Sequence, residues 1–319
     1  MQHTKHIEES QNDETKDFGL GSRITQQSRT RFLNKDGSFN VERKGIPFLR
    51  SLSPYHALLT MSWPKFHSFI VLAYVLTNVL FAFGYMLCGV GALHGSAAVS
   101  VLDRFSDAFF FSVQTLATIG YGGISPSGLP ANIIVACEAL TGLFGFALAT
   151  GLLFARFSRP NAQVIFSRKA IIAPYRDIKG FMFRVINERR NQLIEVEIKL
   201  TFSRMEMHNG KRVRRFHLLD LERQKVTFFP LHWTIVHPID EKSPMYGITQ
   251  ESLEESDAEF SILLTAIDET FSQTVHTRSS YKYDEVIVGA KFRDMFISSD
   301  DGMVRVDVRR LHETEAVKV

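Results

Sequence analysis

The chain has 319 residues, 45% of them hydrophobic, and a formal net charge of +3. This length suits about two domains, and the small charge, with no dense block of Lys and Arg, argues against a nucleic-acid partner. Both cysteines, Cys88 and Cys137, lie in apolar segments, so no disulfide framework is expected.

Residues 1–40 are polar and charged, with too few large aliphatic side chains to offset the entropy of ordering. We expect a flexible N-terminal tail, and because no secretory signal precedes the first apolar run, we expect it to be cytoplasmic. Residues 41–64 continue this cytoplasmic segment. Within them Tyr55, Leu58 and Leu59 alternate with polar residues, which predicts a short interfacial (slide) helix or, alternatively, a structured linker.

Residues 65–159 have the layout of a transmembrane pore domain. Residues 66–93 contain no charged side chain, and a helix of that length, at about 1.5 Å per residue, exceeds a hydrocarbon thickness of about 30 Å. Residues 131–157 can also span, before Pro160 stops the helix. The aromatic run between them would reach only about 18 Å, so it must enter and return. The predicted elements are an outer helix at 66–93, a re-entrant pore helix and filter at 103–123, and an inner helix at 131–157.

Basic residues are concentrated on one side of these spans, with only Arg104 in the connecting segment. The positive-inside rule therefore predicts that both termini lie in the cytoplasm. We expect a multi-pass protein of the cell's inner (plasma) membrane. The residues concerned are Arg43, Lys44, Arg50, Lys65, Arg156, Arg159, Arg168 and Lys169.

Residues 160–319 change to short segments in which apolar and polar residues alternate. This pattern predicts a cytoplasmic, immunoglobulin-like antiparallel β-sandwich, so the fold class is membrane α plus all-β. The pair Asn209-Gly210 between two strand-like runs predicts a tight hairpin. The predicted strands are 180–186, 193–202, 225–229, 234–236, 259–267, 285–288 and 303–308.

The residues that carry the chemistry are Thr118, Ile119, Gly120, Tyr121 and Gly122, directly after the short pore segment. Irregular backbone at membrane depth is tolerated only where it is buried in protein or lines a watery path. The two glycines permit positive φ, so successive carbonyl oxygens can face one axis and replace the water around a dehydrated cation. The Tyr121 ring is predicted to pack behind them, against the rings at 109–111. A chance Gly-Tyr-Gly turn is the alternative.

A conduction path built in this way needs several chains, because one chain supplies only a quarter of a ring of carbonyl oxygens. The sequence therefore predicts a closed fourfold homo-oligomer. It contains no HExxH zinc motif, Cys/His metal pair, nucleophile elbow or phosphate loop, so an enzyme is not expected.

From about residue 35 to 310 the chain resembles the prokaryotic inward-rectifier potassium channel (KirBac) family. The similarity includes TIGYG at 118–122, FARFSRP at 154–160, HPIDEKSPMY at 237–246 and RSSY at 278–281. It implies passive K⁺ conduction through a homotetrameric pore, with K⁺ ions in the filter and no other cofactor. The alternatives are a non-selective cation channel and, from another class, a membrane-anchored cytoplasmic binding module.

The resemblance also implies roles for single residues. Phe154 matches the bulky residue that closes the inner-helix gate, and simple packing is its alternative. Ala266 and Ile267 begin the loop, residues 266–272, that constricts the cytoplasmic vestibule, although a plain strand end is equally compatible. Gln114 and Glu138 are candidates for filter support, with a neutral structural carboxyl as the alternative for Glu138.

Regulation follows from the same resemblance. Ba²⁺, polyamines and Mg²⁺ are the expected blockers, but the cavity position that is acidic in strong rectifiers is Phe146 here, which weakens the expectation of steep rectification. Glu195 and Glu269 are candidate acids of the cytoplasmic pore, or solvated sheet residues. Anionic lipids or phosphoinositides are expected at Lys65, Arg156, Arg159, Arg168 and Lys169, although ordinary positive-inside topology explains these charges as well.

Overall fold

The computed structural model describes residues 31–41, 53–158, 163–189, 192–208, 210–229, 232–297 and 305–317. It divides into two compact units. One is Gly45–Arg159, and the other combines Met1–Lys44 with Pro160–Val319. The predicted tail at 1–40 lies largely outside the described residues, as do Arg43, Lys44, Arg50, Arg159 and Pro160.

The first unit is helical. Two of its helices, α2 and α4, are long and apolar enough to cross a membrane. Its elements are α1 (Pro54–Thr60), α2 (Trp63–Leu87), β1 (Leu93–His94), α3 (Val101–Leu116), β2 (Ser125–Pro126) and α4 (Gly128–Phe157), with β1 and β2 paired. The predicted outer helix was placed too late, because Pro64 lies in the first turn of α2 and the helix ends before the positive-φ residues Gly89 and Gly91.

The short helix α3 is defined by its start. The Ser100 hydroxyl accepts the backbone N–H of Asp103 at 3.1 Å, and the Asp103 carboxylate accepts the N–H of Ser100 at 3.0 Å. This reciprocal capping box satisfies two amides that a helix otherwise leaves unpaired. Ala108 and Phe111 then pack against Ala82 and Tyr85 of α2, so α3 is fixed beside the outer helix.

The second unit is a β-sandwich. One sheet has the order β11-β10-β6-β7 with β8 on β6, and the other has the order β12-β4-β5-β3 with β9 on β5. Within these two sheets the described strand pairs are antiparallel except β12 with β4, which is parallel. The strands are β3 (Val164–Phe166), β4 (Ala170–Tyr175), β5 (Ile178–Asn187), β6 (Leu193–His208), β7 (Lys211–Leu219), β8 (Lys225–Phe228), β9 (His232–Ile239), β10 (Glu259–Asp268), β11 (Gln273–Lys282), β12 (Val286–Val288), β13 (Ala290–Phe292), β14 (Phe296–Ile297), β15 (Arg305–Val306) and β16 (Thr314–Ala316), with a short helix α5 (Gln250–Glu255).

Aromatic rings join the two sheets. Phe260 of β10 lies opposite Phe202 of β6 in the register, and their ring centroids are 4.9 Å apart. Phe181 of β5, in the other sheet, stacks on Phe260 at 4.2 Å. All three side chains are fully buried, and each such burial contributes about 1.5–3 kcal/mol. The predicted β-sandwich is confirmed.

Two local predictions have different outcomes. The hairpin is confirmed, because His208 and Lys211 pair at the ends of β6 and β7, although Asn209 itself lies outside the described residues. The strand predicted at 303–308 ends too late, and its first two residues lie outside the described residues. Arg305–Val306 is extended, but the Asp307 carboxylate accepts the N–H of Arg309 at 3.1 Å and begins a 3₁₀ turn at Val308–His312.

Candidate functional site

The filter segment begins where α3 ends. The N–H of Thr118 donates to the carbonyl oxygen of Thr115 at 3.0 Å, and the N–H of Ile119 donates to that of Gln114 at 2.7 Å. The φ angle is positive at every second residue, +56° at Thr118, +62° at Gly120 and +79° at Gly122. This alternation allows successive carbonyl oxygens to point to the same side of the chain, which is what a dehydrated cation requires. The positive φ of Thr118 is unusual for a β-branched residue and was not predicted.

The Tyr121 side chain does not pack as predicted within one chain. Tyr121 is 78% exposed. Phe111 packs edge-on against Tyr85, with ring centroids 5.2 Å apart, and Phe109 stacks on Phe105 at 6.2 Å. Two of the three rings at 109–111 are thus packed on neighbours in their own chain, while Phe110 is 59% exposed. A brace formed by Tyr121 needs a second chain beside the first.

A buried polar cluster lies behind α3. The Glu138 carboxylate of α4 accepts hydrogen bonds from the hydroxyls of Tyr85 in α2 and Ser112 in α3, and Asn78 Oδ1 lies 3.0 Å from the same Ser112 hydroxyl. All four residues are almost completely buried. The cluster therefore joins α2, α3 and α4 at one point. At Gln114, the other predicted support, the backbone carbonyl oxygen accepts the N–H of Ile119 at 2.7 Å.

The inner helix carries the gate candidate and lies very close to the pore helix at one point. Phe154 is 72% exposed in the single chain, and Phe146 is exposed on the same helix. A Cβ atom built on Gly142 would lie 2.4 Å from the carbonyl oxygen of Leu116, the last residue of α3, whereas Gly145 and Gly151 face open space. Gly142 is therefore required for close helix contact.

The two residues predicted for the cytoplasmic constriction lie in different surroundings. Ala266 is 1% exposed and belongs to the core of the sandwich, so its side chain cannot narrow a passage, because the strand β10 turns it inward. Ile267 is partly exposed. The buried carboxylate of Asp268 accepts the N–H groups of Thr270 at 2.9 Å and Phe271 at 3.3 Å, which shapes the following turn. Sequence reasoning missed this residue, although an acid at a strand end is typical of such a cap.

The two candidate pore acids lie at the same end of this sheet. Glu195 has a φ of +53° at an irregularity in the pairing of β6 with β10, and its carboxylate pairs with the ammonium of Lys225. Glu269 is exposed, and its N–H donates to the carbonyl oxygen of Gln192 at 3.2 Å. Of these two acids, only Glu269 has a carboxylate without an ion pair among the described residues.

The basic residues proposed for lipid binding are not equivalent. Lys65 and Arg168 are exposed. Lys169 Nζ donates to the carbonyl oxygen of Asp284 at 2.8 Å, and the Arg156 guanidinium donates to two backbone carbonyls. Arg159 lies outside the described residues.

Residues 31–41, which the sequence assigned largely to the flexible tail, form a turn bonded to the β-domain. Arg31 and Lys35 pair with the carboxylate of Glu285 at 2.8 and 3.0 Å, and the buried Glu259 accepts the N–H groups of Phe32 and Leu33. Burial opposes ionisation of Glu285, but the N–H of Lys282 and the two cations outweigh it and lower its pKa. The Asp36-Gly37 pair was an available turn signal.

Comparison with known proteins agrees with this architecture. Residues 164–319 match the model of the inward rectifier potassium channel C-terminal domain, and residues 72–159 match an ion channel model. The chain is 44% identical to the inward rectifier potassium channel Kirbac3.1 of Paramagnetospirillum magnetotacticum, over 89% of this chain and 96% of that protein. It is 30% identical to the G protein-activated inward rectifier potassium channel 3 of mouse and of human, over 91% of this chain and 78% of those proteins.

These matches decide between the alternatives left open by the sequence. A channel family model covers most of α2 and all of α4, the two described helices that can cross a membrane, and a relative similar over nearly its whole length is a potassium channel. Channels of this family are tetrameric and lipid-regulated. Neither the non-selective channel nor the anchored binding module is favoured, and the family is one of ion channels, not of enzymes. The chain belongs to the prokaryotic inward-rectifier potassium channels and is a potassium-selective membrane channel.

Proposed function

We propose that four copies of this chain enclose one pore, in which the carbonyl oxygens of Thr118, Ile119, Gly120 and Tyr121 and the Thr118 hydroxyl hold K⁺ ions. The observation that carries the proposal is the filter backbone itself, with positive φ at every second residue and an exposed Tyr121. A segment of this kind between two membrane helices is stable only when other copies enclose it. Gly122 completes the filter by allowing the chain to turn out of it.

The gate of this channel is formed by Phe154. Four exposed aromatic rings at the same level of a fourfold bundle create an apolar constriction that closes by losing its water. In the β-domain the partly exposed Ile267, and not the buried Ala266, is the residue that can narrow the cytoplasmic passage. Glu138 and the carbonyl group of Gln114 support the filter from behind, through the contacts of α3.

The proposed setting is a plasma membrane with both termini in the cytoplasm, as the concentration of basic residues before α2 and after α4 favours. The exposed Lys65 and Arg168 are the best candidates for anionic lipid or phosphoinositide headgroups. Ba²⁺ blocks at the filter. Polyamines and Mg²⁺ block weakly, since Phe146 supplies no negative charge to the cavity. Of the two candidate acids of the cytoplasmic pore, Glu269 is the better candidate to attract these cations, because the carboxylate of Glu195 is paired with Lys225.

The test is rubidium-86 uptake into vesicles that contain the purified channel, with K⁺ or Na⁺ competing outside. We expect Ba²⁺ and K⁺ to suppress the uptake and Na⁺ to leave it unchanged. Gly120→Ala should abolish this selectivity, because alanine is strained at a φ of +62°. Gly123→Ala is the matched control, since that glycine follows the filter, lacks a positive φ and faces open space. Equal behaviour of the two variants would contradict the proposed filter.

A further inference from the structure

The last turn of the inner helix carries a positive charge that the protein itself encloses. Arg156 lies two residues after Phe154 in α4. Its Nη1 donates a hydrogen bond to the carbonyl oxygen of Leu58, and its Nη2 donates one to that of Met61 at 2.8 Å. Leu58 is in the last turn of α1 and Met61 directly follows it, where no helical amide remains to satisfy the carbonyls. Arg156 therefore caps the interfacial helix.

Two aromatic rings of α2 enclose the same guanidinium group. Its Cζ lies 4.5 Å from the ring centroid of Trp63 and 4.5 Å from that of the buried Phe66. The Trp63 ring also packs on Phe157, with centroids 5.0 Å apart. A cation over an aromatic face is attracted by the ring, and more strongly where water is excluded. Arg156 thus joins α1, the start of α2 and the end of α4.

This arrangement is not that of a cation that serves lipid headgroups. Arg156 Nε is buried and has no hydrogen-bond partner among the described residues, whereas Lys65, in the first turn of α2, is exposed. The planar fork of Arg156 is used on two carbonyl groups, and its flat surface lies against rings. A lysine would retain the charge but supply neither the fork nor the flat surface.

We propose that Arg156 is a positioning residue that holds the end of the inner helix in the conformation of this structure and keeps the constriction at Phe154 narrow. The inference rests on the proposed gate at Phe154. Arg156 and Phe154 lie in the same helical turn, so a shift of one moves the other. Loss of the Arg156 contacts frees this turn from α1 and α2, and the four Phe154 rings then separate more often.

The experiment measures Ba²⁺-sensitive rubidium uptake in vesicles of phosphatidylcholine alone and of phosphatidylcholine mixed with phosphatidylglycerol. We call the contacts of Arg156 with the carbonyl groups of Leu58 and Met61 and with the rings of Trp63 and Phe66 the clamp. Arg156→Lys should raise uptake roughly threefold or more in both kinds of vesicle, because it keeps the charge and loses the clamp. Lys65→Gln, the matched control, should change uptake only in the mixed vesicles. If Arg156→Lys leaves uptake unchanged and Arg156→Gln alters it only in the mixed vesicles, Arg156 is a lipid site and the proposal is overturned. Lower uptake in Arg156→Lys than in the wild type would also overturn it.

Phe154→Ala, measured in parallel, separates the two proposals. If Phe154→Ala leaves uptake unchanged, the gate itself is wrong. If it raises uptake but Arg156→Lys does not, the gate stands and the clamp fails. The double variant should conduct no more than Phe154→Ala alone, since the clamp acts through those rings, and additive increases would contradict this. Size-exclusion chromatography checks assembly, and if Arg156→Gln does not assemble, Arg156→Lys decides.

Discussion

Replacement of Gly142 by alanine should disturb the filter from behind. The new Cβ atom would lie 2.4 Å from the carbonyl oxygen of Leu116, about 0.6 Å inside the 3.0 Å that real contacts respect. Because both partners are backbone, neither can rotate away, and such overpacking costs about 1–3 kcal/mol. The gain in helix propensity from glycine to alanine returns about 0.5–1 kcal/mol. At Gly145, which faces open space, only the gain remains.

The two variants therefore form a matched pair that should differ by about 1–3 kcal/mol in the stability of the assembled channel. Thermal denaturation followed by size-exclusion chromatography measures this difference. Leu116 ends α3 two residues before Thr118, so Gly142→Ala should also reduce the ability of K⁺ to outcompete Na⁺ in rubidium uptake. Equal thermal stability and equal selectivity of Gly142→Ala and Gly145→Ala would refute the close contact.

Three further changes test other contacts. Glu285→Gln should weaken the docking of residues 31–41 by about 1 kcal/mol and speed amide exchange at Phe32 and Leu33. The pKa of Glu285 is lowered from 4.5 in the folded protein, so the wild type should show the same loss of docking as the pH falls below 4.5 and this carboxylate becomes protonated. Burial lowers the pKa of His237, whose ring nitrogens bond the carbonyl oxygen of Asp220 and the hydroxyl of Ser243. The β-domain should therefore lose stability as the pH falls below 6.5. His237→Gln should reduce this dependence of stability on pH, whereas a change of the exposed His276 to Gln should not. Tyr85→Phe removes a donor from the buried Glu138 and should cost about 1–3 kcal/mol in thermal denaturation, against no loss for Tyr55→Phe on the exposed face of α1.

The membrane layout and the fold class followed from pattern alone. Apolar run length distinguished the two crossing helices from the short α3, because a bilayer imposes a minimum length that a re-entrant segment cannot meet. Alternation found most central strands of the sandwich, such as β6 and β10. The strands β13, β14 and β16, which belong to separate two-stranded sheets, were missed because two or three residues carry no readable period. The longer β4 and β11 were missed as well, since β4 is almost continuously apolar and β11 mostly polar, so neither alternates clearly.

The sequence could not supply side-chain contacts where a partner group decides them. Composition shows that Arg156 is a cation near the membrane surface, but not that two carbonyl groups and two rings already occupy it. The position of Ala266 at a strand end was clear, yet its inward direction depends on the register of β10 with β6. For Tyr121 the missing information is another chain, since a ring that is exposed in one copy has its packing surface elsewhere.

The contacts near the middle of α4 and at its C-terminal end predict separable effects on the channel. Near its middle the helix is fixed to the pore helix by Gly142 against Leu116 and by Glu138 against Ser112. At its C-terminal end it is held by Arg156 alone among the hydrogen bonds that join the described residues of α4 to α1. On the proposed function, changes at the first site displace the backbone of the proposed filter, while changes at the second displace only the proposed constriction at Phe154. Substitutions near Gly142 should therefore alter which ion passes, and substitutions at Arg156 should alter how much passes.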